Sequence, residues 1–313
     1  MLELCNNYSI QIANLKDFIT VVYIIIDDIY QKVTPTHIKN RRNINDCIMS
    51  DSEIITISIC GELLSIDSEK AWFSFAKRNL NDLFPKFCDR TRFNRIRRYL
   101  HAIIQAILKE MYLLMDYNND GLRIVDSIPI PVCKFGRAHF HKTFKEYAEY
   151  GKCASKKETY LGFKLHMLVT QDGFVTDFTL TSANIDDRVA MWDLLDSYNS
   201  IFLFGDKGYI GDDVALELKK EKNITLVPLK RNKSKKQYCK LFRQKVFKLR
   251  RRIETTASQL TCQLNIERVL AKSMLGLITR IKTKILGFNL CYYINKLFGL
   301  TTEISRIKAL VFG

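Results

Sequence analysis

Three acids stand where this sequence could do chemistry. Asp126 lies in LRIVDSIPIPV, Leu122 to Val132, among Ile124, Val125, Ile128 and Ile130. Burying a carboxylate among such side chains is costly unless it is paired or binds a metal. Asp206 follows the apolar run IFLF, Ile201 to Phe204, and Gly205. That run reads as a short buried strand ended by a glycine turn, which puts Asp206 at a strand's carboxyl end, where open α/β sheets bind ligands. If the two strands are neighbours, two like charges project at one sheet edge and require a cation. Magnesium suits an all-oxygen set and keeps positions for water and phosphate oxygens. A third ligand is expected from the basic stretch further on: Lys230 to Arg252 holds twelve Lys or Arg in 23 positions and no acid, and Glu254 is the first acid after it. The bland alternative for Asp206 is a turn residue or helix N-cap.

The elements that must position these acids can be read from periodicity. Up to about Asn118 the chain reads helical. Ser50 and Glu53 form a capping-box signature, and Phe93, Ile96, Leu100, Ile103, Ile104, Ile107 and Leu108 recur at helical spacing. The polar face of that last helix carries Arg90, Arg92, Arg95, Arg97 and Arg98, either a solvated surface or a face that tracks phosphates. DYNNDG, Asp116 to Gly121, is a turn-rich hinge. Beyond it, Leu122 to Val132, Tyr160 to Val169 and Phe174 to Leu180 read as strands, the last two joined through the hairpin signal TQDG. A helix fits Asp187 to Tyr198, strands fit Ile201 to Phe204 and Ile224 to Val227, and helices fit Asp212 to Lys222 and about Lys235 to Leu264, the last with breaks. The order implies a mixed α/β sheet, an antiparallel meander extended by helical crossovers.

Composition narrows the partner. With 49 basic and 33 acidic residues the net charge is +16, a surplus that attracts polyanions, nucleic acid above all, with an anionic membrane surface as the rival. Apolar runs such as VVYIII at Val21 are cut by charge well short of the roughly 20 residues a bilayer requires. The amino terminus lacks a secretory pattern, so a soluble intracellular protein is expected. Nine cysteines without a C-x-x-C pair predict reduced thiols. Cys133, His139, His141 and Cys153 fall within 21 residues, but their spacing fits no regular zinc pattern. Between the first two strands, basic residues interleave with Phe135, Phe140, Phe144, Tyr147 and Tyr150, a mixture that can grip single-stranded or distorted DNA.

From Arg123 to about Leu297 the chain resembles the DDE transposases of bacterial insertion sequences, in particular the insertion sequence 982 type. The likeness rests on IVDSIPIPV, GFKLHMLVT, GDKGYIG, RRRIETTASQL and TRIKTKILGFNLCYYINKL in this order. It implies a ribonuclease H-like α/β core, here a mixed five-stranded sheet with flanking helices. That core would span 119–300, after a helical, DNA-binding part at 1–118 and before a tail at 301–313. It implies Asp126, Asp206 and Glu254 as catalytic ligands of two Mg²⁺ ions, with Mn²⁺ as a substitute. Spaced around the glutamate, Arg250 matches the family's arginine, while Phe247 and Thr261 stand where a tyrosine and a lysine would be. Arg250, Arg251, Arg252 and Lys207 would hold phosphates near the metals, and Arg95 and Arg98 would track them elsewhere. The implied activity is cleavage at the element's ends and 3′-hydroxyl transfer to target DNA. The implied partners are terminal inverted repeats, target DNA and a second copy in the synaptic complex, without a membrane, in a bacterial, nucleoid-associated setting. Two alternatives remain open: a non-catalytic DNA-binding protein of the same fold, and a metal-dependent nuclease without strand transfer.

Overall fold

The computed structural model describes residues 12, 14–153, 156–209, 211–229, 237–301 and 304–308, without the side chains of Asn118 and Lys207. Contacts divide the chain into two units: Met1–Met115 with Gln263–Asn265 and Val269–Gly313, and Asp116–Cys262 with Ile266–Arg268. The division starts at the predicted turn, where Asp116 adopts φ +61°. Among the described residues no helix is long and apolar enough to cross a membrane.

The first unit is helical: α1 (Leu15–Val33), α2 (Thr36–Lys39), α3 (Asp51–Leu63), α4 (Glu69–Asn79), α5 (Arg90–Tyr99) and α6 (His101–Leu114). The predicted capping box is present at the start of α3, where Ser50 Oγ accepts from Glu53 N and the Glu53 carboxylate accepts from Ser50 N. Twelve of its thirteen residues are buried, so α3 is the axis of this unit and needs no polar face. At Gly61 the Trp72 indole lies where a Cβ would be, 2.6 Å away, and its Nε1 donates to Ile57 O at 2.9 Å. The single helix expected through Phe93 and Leu108 is two, α5 and α6, meeting at Leu100. Arg97 also departs from the expected solvated face: it is buried, and its Nη2 donates to Glu69 Oε2 at 2.7 Å.

The last long helix of the chain, α11 (Met274–Leu297), is grouped with this first unit and packs on α3 and α6. The reason is electrostatic as well as apolar. Glu62 of α3 is buried and meets Arg280 Nε at 2.9 Å and Lys284 Nζ at 2.5 Å. Arg280 also donates to Asp67 O, and Lys284 to Leu264 O at 2.6 Å.

The second unit contains β1 (Leu122–Lys134), α7 (Phe135–Ala138), β2 (Glu149–Cys153), β3 (Glu158–Val169), β4 (Val175–Ser182), α8 (Asp187–Leu194), β5 (Phe202–Gly205), α9 (Asp212–Lys222), β6 (Thr225–Pro228) and α10 (Lys240–Leu264), the last two residues of α10 falling in the first unit. The sheet has six strands, one more than expected, in the order β2-β3-β1-β5-β6, with β4 also on β3. The additional strand, β2, pairs antiparallel with the start of β3 in the segment expected as a loop. The TQDG turn closes the β3–β4 hairpin with Gly173 at φ +98°. The basic helix is continuous from Lys240.

The strand β1 pairs antiparallel with β3 along its length but parallel with β5 only from Leu122 to Val125. Pro129 and Pro131 lie beyond that point, where β1 has one neighbour and a missing N–H breaks no ladder bond. At Pro131/Cys133 the β1–β3 register shifts, and opposite it sits Gly162, where an added Cβ would lie 2.3 Å from Ile130 O. Only glycine lets the strands approach this closely there. One face of the sheet buries Val125, Leu168 and Leu203 with Met191 and Leu194 of α8 and Leu218 of α9.

Candidate active site

The register builds the site. Val125 of β1 is paired with Gly205 of β5, so the next residue of each strand is an acid, Asp126 and Asp206, at the end of the parallel pair. Asp126 is paired on its other side with Met167 of β3. Around the two acids, Ile124, Phe204, Leu229, Val246, Arg250 and Ile253 line a small cleft. Burial pushes the Asp126 carboxyl up to about 6; a hydrogen bond from Ser127 N opposes this, Asp206 adds to it, and Arg250 relieves it. Ser127 N donates to Asp126 Oδ1 at 2.8 Å.

Glu254 reaches this group through an intermediary. Arg250, one helical turn earlier on α10, meets Glu254 Oε1 at 2.5 Å and Asp206 Oδ1 at 3.5 Å. Residues four apart share a helix face, which brings both partners within reach of one guanidinium. The side chains of Asp206 and Glu254 are 38% and 46% exposed. Among the described residues no three His, Cys, Asp or Glu side chains are gathered closely enough to hold a metal. The donor set nonetheless suits a hard cation: it is all oxygen, one carboxyl is desolvated beside another, and one guanidinium is shared between two acids.

The other predicted site residues are placed as follows. Arg251 is exposed and Arg252 half-buried on α10. The side chain of Lys207 lies outside the described residues. On α5, in the first unit, Arg95 is exposed and Arg98 Nε donates to Asn94 O. Phe247, two turns before Glu254, has the Arg243 guanidinium 5.5 Å from its ring, and Thr261, about two turns after, donates to Glu267 Oε1 at 3.5 Å. Cys133, His139, His141 and Cys153 form no metal cluster, and none of the eight described cysteines is in a disulfide.

Asp186 and Asp187 stand side by side at the start of α8, and the structure gives them different partners. Asp186 is the N-cap of α8, accepting from Arg188 N at 2.9 Å. Asp187 instead meets Lys164 Nζ at 3.0 Å and lies 3.7 Å from His166 Nδ1. His166, fully buried, shares a 2.8 Å hydrogen bond with Thr181 Oγ1, and burial pulls its pKa down to about 4, so the ring is neutral at neutral pH. Tyr209, just after Asp206, is buried too, and burial holds its hydroxyl well above the usual range with Asp187, Asp126 and Asp206 adding to the shift. Lys164, at alternate spacing with His166 on β3, was the available signal: a cation on an otherwise apolar strand.

Two acids sit side by side at the end of a parallel strand pair, with a third acid linked to them from a basic helix through Arg250. A family model described as Transposase DDE domain matches residues 117–274, just over half of the chain, a span within which Asp126, Asp206 and Glu254 fall. Searches of curated proteins and of solved structures gave no match. The chain belongs to the DDE transposase domain family.

Proposed function

We propose that this chain is a DNA transposase of the insertion sequence 982 type, with a ribonuclease H-like core that cleaves DNA at the element's ends and transfers the freed 3′-hydroxyl to target DNA. The observation that carries the reading is the β1–β5 register, which makes Asp126 and Asp206 neighbours at a strand end. Asp126, Asp206 and Glu254 would hold two Mg²⁺ ions, or Mn²⁺ in their place. When bound, such ions supply a Lewis acid for the attacking and the leaving oxygen of an in-line displacement.

The chain's own residues do the rest. Asp126, with its carboxyl desolvated, gains most from a nearby cation, because ionisation then no longer opposes burial. Arg250 holds Asp206 and Glu254 until DNA arrives and is then available to a backbone phosphate, as are Arg251, Arg252 and Lys207. Arg95 and Arg98 extend phosphate contact in the helical unit, which we assign to DNA binding. Two element ends must be handled together, so the working form is a homodimer on terminal inverted repeats and target DNA, in the nucleoid of a bacterial cell.

A second reading has one observation in its favour: Glu254 is engaged by Arg250, which suits a DNA-binding protein that keeps the fold without the reaction. A cleavage and joining assay on the element's terminal repeats separates the two. With Mg²⁺ or Mn²⁺, the wild type should release a 3′-hydroxyl and join it to target DNA, and Asp206→Ala should do neither while still binding DNA. If both proteins bind equally and neither cuts, the second reading holds; cutting without joining identifies a nuclease.

A further inference from the structure

The connection from β1 to β3 carries a surface that the chemistry proposed above does not use. Phe135, Phe140, Tyr147 and Tyr150 are 60%, 81%, 53% and 47% exposed, and Phe140 is the most exposed large apolar side chain among the described residues. Three of these rings have a ring partner. Phe135 meets Tyr150 edge-on at 5.7 Å, and the His139 ring meets Phe140 at 5.2 Å. The segment beneath is anchored: Phe144 is buried and packs edge-on against Phe163 of β3 at 5.7 Å, Ala138 and Ala148 are buried, and Tyr147 O accepts from Ser182 Oγ at 2.7 Å. Water therefore wets four rings that a fixed backbone holds outward.

Charge decides what covers them. Lys134, Arg137, Lys142, Lys145 and Lys152 are exposed on this same segment, against Glu146 and Glu149. A protein partner is disfavoured, because lysine is depleted from the centre of protein interfaces. Intact duplex would meet the cations with its phosphates yet leave the rings unused, since its base faces are stacked on one another. An unpaired strand offers both a π-face for each ring and a phosphate for each cation.

We propose that this surface stacks unpaired bases of a DNA strand, with Arg137 and the lysines on its phosphates. The inference deepens the transposase reading and rests on it for the source of the strand, a frayed or cleaved element end. It adds a class of substrate, single-stranded DNA, recognised by stacking and independent of sequence.

The test is fluorescence anisotropy without divalent metal, on a labelled ten-nucleotide thymidine strand, an abasic strand of equal length and charge, and a duplex. The wild type should prefer the base-bearing strand to the abasic one by about fivefold or more, the margin of at least one stacked base. The double variant Phe135→Ala, Phe140→Ala should lose that preference while keeping its duplex affinity, salt dependence and melting temperature, and Phe140→Trp should keep the preference. Equal affinity of the wild type for the two strands would overturn the proposal, as would a preference retained in the double variant or no binding to either strand. Because no cleavage is required, a failed joining assay with the preference intact removes only the transposase reading. Successful joining without the preference removes only this inference.

Discussion

Each unit of the molecule holds a cluster of charge, and the two are balanced differently. In the helical unit one carboxylate, Glu62, faces two cations, Arg280 and Lys284, and every member is buried. Burial alone would raise the Glu62 carboxyl, but the two cations more than offset it and hold it below the ordinary range. In the sheet unit one guanidinium, Arg250, serves both Asp206 and Glu254, and Asp126 is left with a backbone N–H and a pKa pushed up to about 6. The first cluster is complete within the chain. The second lacks positive charge, and that deficit is what a metal or phosphate-bound cation would fill.

Removing an acid from each cluster should break the comparison in opposite directions. On the proposed reading Asp206→Asn should lower strand cleavage by about a thousandfold or more, since Asp206 would help hold the ions that supply the Lewis acid, while urea denaturation finds the protein no less stable. Glu62→Gln should destabilise by about 3–5 kcal/mol in the same urea titration, because it strands two buried cations. A loss below about 1 kcal/mol would mean that the pair is solvated in solution.

Asp126→Asn should stabilise the metal-free protein. The folded pKa, about 6, lies above the ordinary 3.8, so the group contributes nothing below about pH 4, where both states are protonated. Between about pH 4 and 6 the unfolded chain ionises first and the wild type loses stability, and above that range the full penalty of about 1–3 kcal/mol remains. The variant should therefore gain that amount at pH 7 and nothing at pH 3.5, and saturating Mg²⁺ should narrow the gap by stabilising the wild type alone. The smallest effect is expected from Arg250→Gln, which removes the cation that lowers the Asp126 pKa. The midpoint of the wild-type stability loss should move up, by less than about one pH unit, when the same titration is repeated.

Both acids of the sheet edge were legible because each broke a local pattern. Asp126 interrupts an apolar strand and Asp206 ends one, and an apolar run placed next to another in a crossover fold leaves few registers open. Glu254 was legible by contrast with the acid-free stretch before it. The strand β2 was not: EYGKC has no apolar alternation, because it is an edge strand with most side chains in water. Nor was the packing of α11 on α3, since the partner of Arg280 and Lys284, Glu62, lies more than 200 residues away. Arg97 misled for the same reason, being matched by Glu69 across a helix boundary. Contacts made at long range leave no local periodicity to read.

The bulge at Pro131/Cys133, opposite Gly162, shifts the register of β1 against β3 by one residue after Pro131. Upstream of it, the pairing is unbroken and fixes which face of the sheet Asp126 takes. The extra residue at the bulge is thus absorbed downstream of the acid, so the β1–β3 pairing that holds Asp126 opposite Met167 is kept in register up to Pro131.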